Sequence, residues 1–128
     1  MFLKYTKWAL LWALVILILC GIPGKDIPEV SIINFDKFIH ASLFFILLLL
    51  TVRGFTLQKT VVLFYTFPKM SAFILCVIYG GTVELMQGAF FVDRTADIND
   101  FFANSFGCLV ACLVYNKMEK ILLSKFIY

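Results

Sequence analysis

Polar breaks divide the chain into four long apolar runs. The first covers Tyr5 to Ile22 and stops at Pro23-Gly24, a strong turn signal. The second begins near Asp36 and ends near Val52, where Arg53-Gly54 follows. Asn34 offers an N-cap there, and Asp36 falls in the first turn, where the helix dipole favours an anion. The third runs from Ser71 to about Phe91 behind Pro68-Lys69, and proline is tolerated near a helix start. The fourth spans about Asp97 to Tyr115, with Asp97 and Asp100 patterned as an N-terminal capping arrangement. Each run is close to the roughly 20 residues that cross a bilayer as a helix. None shows the strict alternation of a membrane barrel. The pattern therefore predicts an all-α fold, a four-span transmembrane helix bundle. It forms a single membrane domain over residues 1–128, with helices at about 5–22, 36–52, 71–91 and 97–115. Thr60–Phe67 is apolar but too short to span. It either extends the third helix backwards or lies at the interface, with Tyr65 and Phe67 at headgroup level.

Positive charges orient the bundle. Lys4, Lys7, Arg53, Lys59, Lys69, Lys117, Lys120 and Lys125 fall on one side, and only Lys25, Lys37 and Arg94 on the other. Positive residues favour the cytoplasmic side, so both termini are expected inside the cell, with Pro23–Phe35 and Val92–Ala96 facing outward. Lys4 and Lys7 ahead of an apolar run also outline a signal peptide. No small-x-small cleavage site follows, and the run is long for a signal core, so a retained helix is expected. Leu19 before Cys20 is too large for a lipoprotein site.

Composition agrees with this picture. The chain is 62% hydrophobic and 15% charged, with mean hydropathy +0.98. A soluble domain would be nearer 45–50% and about 25%. The net charge of +3 carries no basic patch with interleaved aromatics, so nucleic acid is not an expected partner. Cys20, Cys76, Cys108 and Cys112 all lie in apolar runs without a CxxC pair, and read as free, buried thiols.

The few polar residues inside the runs are not scattered. Asp36 and His40 are four apart on the second helix, Glu84 and Gln87 three apart on the third. Asp97, Asp100 and Asn104 share a face of the fourth, continued inward by Gly107 and Ala111. Glycines 80, 81 and 88 flank Glu84 and are expected to admit a neighbouring backbone. Three helices thus place polar groups at matching heights near the outer end. A charged side chain at the centre of a span costs roughly 2.5–3.5 kcal/mol or more, so such a residue is a functional-site hypothesis by default. Arg94, on the connecting loop, is the expected counter-charge for Asp97, Asp100 or Glu84.

The series Asp36-Lys37-x-x-His40, Tyr79-Gly80-x-x-x-Glu84-x-x-Gln87 and Arg94-x-x-Asp97-x-x-Asp100-x-x-x-Asn104-x-x-Gly107 resembles the VanZ-like family of small bacterial membrane proteins. Order and spacing together carry the resemblance, from the second helix to the fourth. Ala111 stands where the family commonly has glycine, and the connection between the second and third helices is longer and greasier. The resemblance implies a four-span, multi-pass protein of the bacterial inner (cytoplasmic) membrane. The family's namesake is associated with low-level resistance to the glycopeptide teicoplanin, an amphiphile acting at the outer face.

Three functions remain open on these residues. In the first, the outward polar site binds an envelope lipid, a lipid-linked precursor or an amphiphilic glycopeptide-type antibiotic. Asp36, Lys37, His40, Glu84, Gln87, Arg94, Asp97, Asp100 and Asn104 are the candidate ligand-binding residues. Glu84 and Gln87 would form the floor, and Arg94 and Lys37 anion clamps. In the second, a small membrane enzyme acts on a lipid headgroup or lipid-linked sugar. His40 would be its base, Glu84 or Asp100 would orient it, and Arg94 would stabilise a developing anion. In the third, the polar groups only pack helices: His40 ties the second helix to the third, and Asp97 caps the fourth. His40, Glu84 and Asp100 offer one nitrogen and several oxygens to a metal. No His-x-x-x-His or cysteine pair supports this, so neither metal nor cofactor is expected. Small multidrug transporters carry their membrane carboxylate in the first helix, and this chain has no charge there after Lys7. In a cysteine-free background, Thr95→Cys should react with an impermeant maleimide added to intact cells. Labelling only after the membrane is breached would reverse the orientation.

Overall fold

The computed structural model describes residues 1–21, 35–90, 97–123 and 125. It is built from helices, and the described residues include no strand. Helix α1 is Phe2–Cys20, α2 is Phe35–Leu57, α3 is the short Val62–Thr66, α4 is Pro68–Ala89 and α5 is Ile98–Met118. A π-helical turn over Glu119–Leu123 continues α5. Among the described residues, four helices are long and apolar enough to cross a membrane: α1, α2, α4, and α5 extended to Ile121. They alternate in direction, so the N-termini of α2 and α5 lie at the same end of the bundle. Helix α2 is central, packed on α1, α4 and most extensively on α5.

The parallel pair α2/α5 approaches backbone to backbone. A Cβ added at Gly107 would collide with the Ala41 carbonyl, and Ala111 one turn on is fully buried. A lipid bilayer supplies no hydrophobic drive between apolar helices, so small residues that admit close van der Waals contact hold them together. Gly54 does the same for α1 and α2, where a Cβ would lie 2.6 Å from the Tyr5 carbonyl oxygen. This explains why α2 does not end at Arg53-Gly54. Gly54 is an inter-helix contact, and Arg53 is buried in an ion pair with Glu119 at 2.7 Å. Helix α2 instead continues to Leu57. There Gln58, wholly buried, closes the turn: its amide donates to the Val61 carbonyl at 3.0 Å and its oxygen accepts the Val61 N–H at 2.8 Å.

Thr60–Phe67 holds a separate short helix. Non-helical backbone at Phe67 (φ −126°, ψ 64°) divides α3 from α4, which starts on Pro68. Phe64 of α3 stacks on Phe55 with centroids 4.2 Å apart and contacts Phe2, sealing this end of α1 and α2. Glycines 80 and 81 face side chains, not a backbone: Phe44 and Asn104 for Gly80, Phe101 for Gly81. Asn34, the expected cap of α2, lies outside the described residues. The four cysteines are free.

Gly107→Ala should lower stability in detergent by about 1–3 kcal/mol, the usual cost of overpacking. Gly81→Ala, which meets only a movable ring, should be neutral or stabilising, because alanine is the better helix former. Thermal unfolding of the two variants checks the contrast, and equal losses would refute the backbone contact.

Candidate functional site

The polar end of the bundle collects residues from three helices. Asp36 lies in the first turn of α2, with Lys37 beside it and His40 one turn on. The Lys37 ammonium reaches across to α5. It donates to Asp36 Oδ2 at 2.8 Å, Asp97 Oδ2 at 2.8 Å and Asp100 Oδ1 at 2.6 Å. An ammonium has three donors, so Lys37 is fully committed. Two parallel helix N-termini meet here, and the positive ends of their dipoles favour the carboxylates gathered beside them.

The start of α5 departs from a capping box. The Asp97 side chain accepts from Asn99 N at 2.9 Å, so Asp97 does cap the helix. In a capping box the residue at the third helical position would reach back to the N–H of the cap. That N–H instead donates to Glu84 Oε2 of α4 at 3.1 Å. Glu84 thereby releases Asp100, whose carboxylate turns to Lys37 and to His40, with His40 Nε2 at 3.6 Å from Asp100 Oδ2. His40 thus faces the fourth span as well as the third. The Lys37 bond holds the Asp97 carboxyl below the usual range, with help from the Asn99 N–H.

Beneath this surface layer the pairing is incomplete. Glu84 is 5% exposed, His40 8%, and Gln87 and Asn104 1% each. Glu84 Oε1, His40 Nδ1, Gln87 Oε1 and both polar atoms of the Asn104 amide find no hydrogen-bond partner among the described residues. The Gln87 amide nitrogen is occupied, donating to the Cys20 carbonyl at 3.2 Å and holding the end of α1. Arg94, the expected counter-charge, lies outside the described residues.

A cavity of about 480 Å³ reaches this layer from the side, between α4 and α5. Glu84 and Asp97 form its polar wall, and Gly81, Leu85, Ile98 and Phe101 the rest. Leu85 and Ile98 are strongly exposed, so the mouth opens on the lipid-facing surface. Nothing in the hydrophobic pattern marked Phe101 or Leu85, since any apolar residue reads alike in a span. Gly81 was the one available signal. Trp12 and Tyr79 were also missed as fasteners: Trp12 donates to the Leu43 carbonyl at 2.9 Å and Tyr79 to that of Ala13, tying α1 to its neighbours.

These features define a multi-pass helical membrane protein with a buried polar cluster at one end, partly unpaired among the described residues. The VanZ/LLP1 family profile matches residues 2–123, and the chain belongs to that family. No curated protein and no solved structure matches the chain.

Lys37→Met should destabilise the fold by about 1.5–3 kcal/mol for its bond to the little-exposed Asp100 carboxylate alone, the usual worth of a hydrogen bond to a charged group. Asp100→Asn in the Lys37→Met background should recover part of the loss. A strictly additive double mutant, measured by thermal unfolding, would show that the pair is not coupled.

Proposed function

We propose that the protein binds an amphiphile of the cell envelope at the outward-facing end of its span bundle, in the inner membrane. The observation that carries this reading is the α4/α5 cavity, which runs from the exposed Leu85 and Ile98 to the carboxylates of Glu84 and Asp97. An amphiphile needs both surfaces, apolar for its chains and polar for its head. The acceptors behind the wall that have no partner among the described residues supply hydrogen-bonding capacity that a purely structural cluster would have consumed.

The charge of the site favours one kind of headgroup. Among the described residues, Asp36, Glu84, Asp97 and Asp100 bring four carboxylates, against Lys37 and the imidazole of His40. With its three donors spent, Lys37 has none left to clamp an anion. A head rich in hydrogen-bond donors, hydroxyl or ammonium, therefore suits the pocket. Envelope lipids, lipid-linked sugars and glycopeptide-type amphiphiles all present such groups.

The test is retention and titration of amphiphiles on purified protein. Native mass spectrometry would follow phosphatidylethanolamine, phosphatidylglycerol and a lipid-linked sugar on protein released from nanodiscs. Saturable binding is expected. Glu84→Gln should weaken it about tenfold to a hundredfold, the equivalent of one hydrogen bond to a charged group. Gly81→Leu, which fills the cavity without touching a carboxylate, should abolish it. Equal binding by both variants and the parent would sink the proposal. Conversion of any bound amphiphile, lost in His40→Ala, would replace it by the enzymatic reading.

A further inference from the structure

The contact between His40 and Asp100 has an unusual length. His40 Nε2 and Asp100 Oδ2 stand 3.6 Å apart, too far for a hydrogen bond, although both side chains are about nine-tenths buried. Glu84 completes the group. His40, Glu84 and Asp100 come from three different helices, and one ligand atom of each lies within 4.8 Å of the other two. Glu84 Oε1 is among the buried atoms without a partner in the described residues. Burying polar acceptors unpaired is costly, and Lys37 has no donor left for Glu84.

We infer that His40, Glu84 and Asp100 form a binding site for a divalent transition-metal cation of the zinc class. One imidazole nitrogen with two carboxylate oxygens is a donor set that zinc accepts, whereas magnesium and calcium prefer oxygen throughout. Ligand atoms on a tetrahedral zinc, with bonds of about 2.0–2.2 Å, lie about 3.4 Å from one another. The His40–Asp100 separation of 3.6 Å is close to that length, and Glu84 lies within 4.8 Å of both. Three protein ligands leave a fourth position open, and Glu84 also lines the α4/α5 cavity. Lys37 on Asp100 Oδ1 and the Asp97 N–H on Glu84 Oε2 orient the two carboxylates from behind, as outer partners of metal ligands do. The ligands are 44 and 16 residues apart in sequence, so no spacing motif announces them. The expectation of no metal rested on that missing motif alone. The site deepens the headgroup reading, because the open position is where a headgroup oxygen would coordinate. Its metal affinity does not require a lipid.

The experiment uses the full chain, purified in detergent through a tag without histidines, stripped with chelator and given no amphiphile. Zinc is titrated by calorimetry, and cobalt serves as the spectroscopic stand-in. One ion per chain is expected, with no thiolate charge-transfer band from the cysteines. Affinity should fall at least about tenfold in each of His40→Ala, Glu84→Gln and Asp100→Asn, since even outer partners of a metal site are worth 10–100-fold. Glu84→Gln keeps an acceptor for the Asp97 N–H, so its fold is preserved. Zinc should raise the melting temperature of the parent and leave that variant unmoved. Failure of the parent to bind, binding unchanged in all three variants, or a thiolate band would each overturn the inference. With no amphiphile present, a negative result here leaves the headgroup reading standing, and loss of amphiphile binding leaves this one standing.

Discussion

The backbone contact between Ala41 and Gly107 is the constraint on which the rest depends. It joins two parallel helices, α2 and α5, that are distant in sequence. Parallel packing sets two helix N-termini side by side, with their unpaired N–H groups and positive dipole ends at one face of the bundle. That face attracts carboxylates, and the chain supplies Asp36, Asp97 and Asp100 there. Three carboxylates so close together repel one another, and the Lys37 ammonium is what makes the arrangement tolerable. Any side chain at Gly107 would hold α2 and α5 apart and stretch the two bonds that Lys37 makes across to Asp97 and Asp100.

A second constraint comes from the solvent. Lipid offers no hydrogen bonds, so each polar atom in a span must find its partner within the protein. The outer layer of the cluster and the fastenings of α1 obey this rule. Trp12 and Tyr79 each use the spare lone pair of a carbonyl inside a helix, and Gln87 donates to the Cys20 carbonyl in the last turn of α1. The inner layer does not obey it among the described residues: Glu84, His40, Gln87 and Asn104 each keep an unpaired buried atom, and Glu84 of these also lines the cavity that opens sideways.

Much of this was legible in the chain. Span number and fold class followed from run length, because a membrane requires about 20 apolar residues whatever else the helix does. The common height of Glu84, Asp97 and Asp100 followed from helical rise, and Gly107 with Ala111 marked the close face of α5. Boundaries were less legible. Arg53-Gly54 has the look of a terminus, yet both residues serve contacts with other helices, and no local signal separates the two uses. The capping pattern of Asp97 and Asp100 was half right for a similar reason. The sequence offers Asp100 to its own helix end, whereas Glu84, from another helix, takes that place. Pairings between helices also decided which groups were saturated and which were left open, as the full commitment of Lys37 illustrates.

The separation of α2 from α5 along the chain has a consequence for biogenesis. Spans enter the membrane in order, and α2 is in place well before its main partner has been synthesised. Through that interval His40 and Lys37 have no carboxylate from α5 to meet, and Glu84 arrives on α4 with no Asp97 N–H to accept. The long Lys37 side chain, near a helix end, can wait with its ammonium at the headgroups. His40 and Glu84 are shorter and have no such refuge. Insertion of the last span is therefore the step that gathers these exposed polar liabilities into one cluster, and a chain truncated before α5 would present a quality-control protease with two recognisable defects, His40 and Glu84.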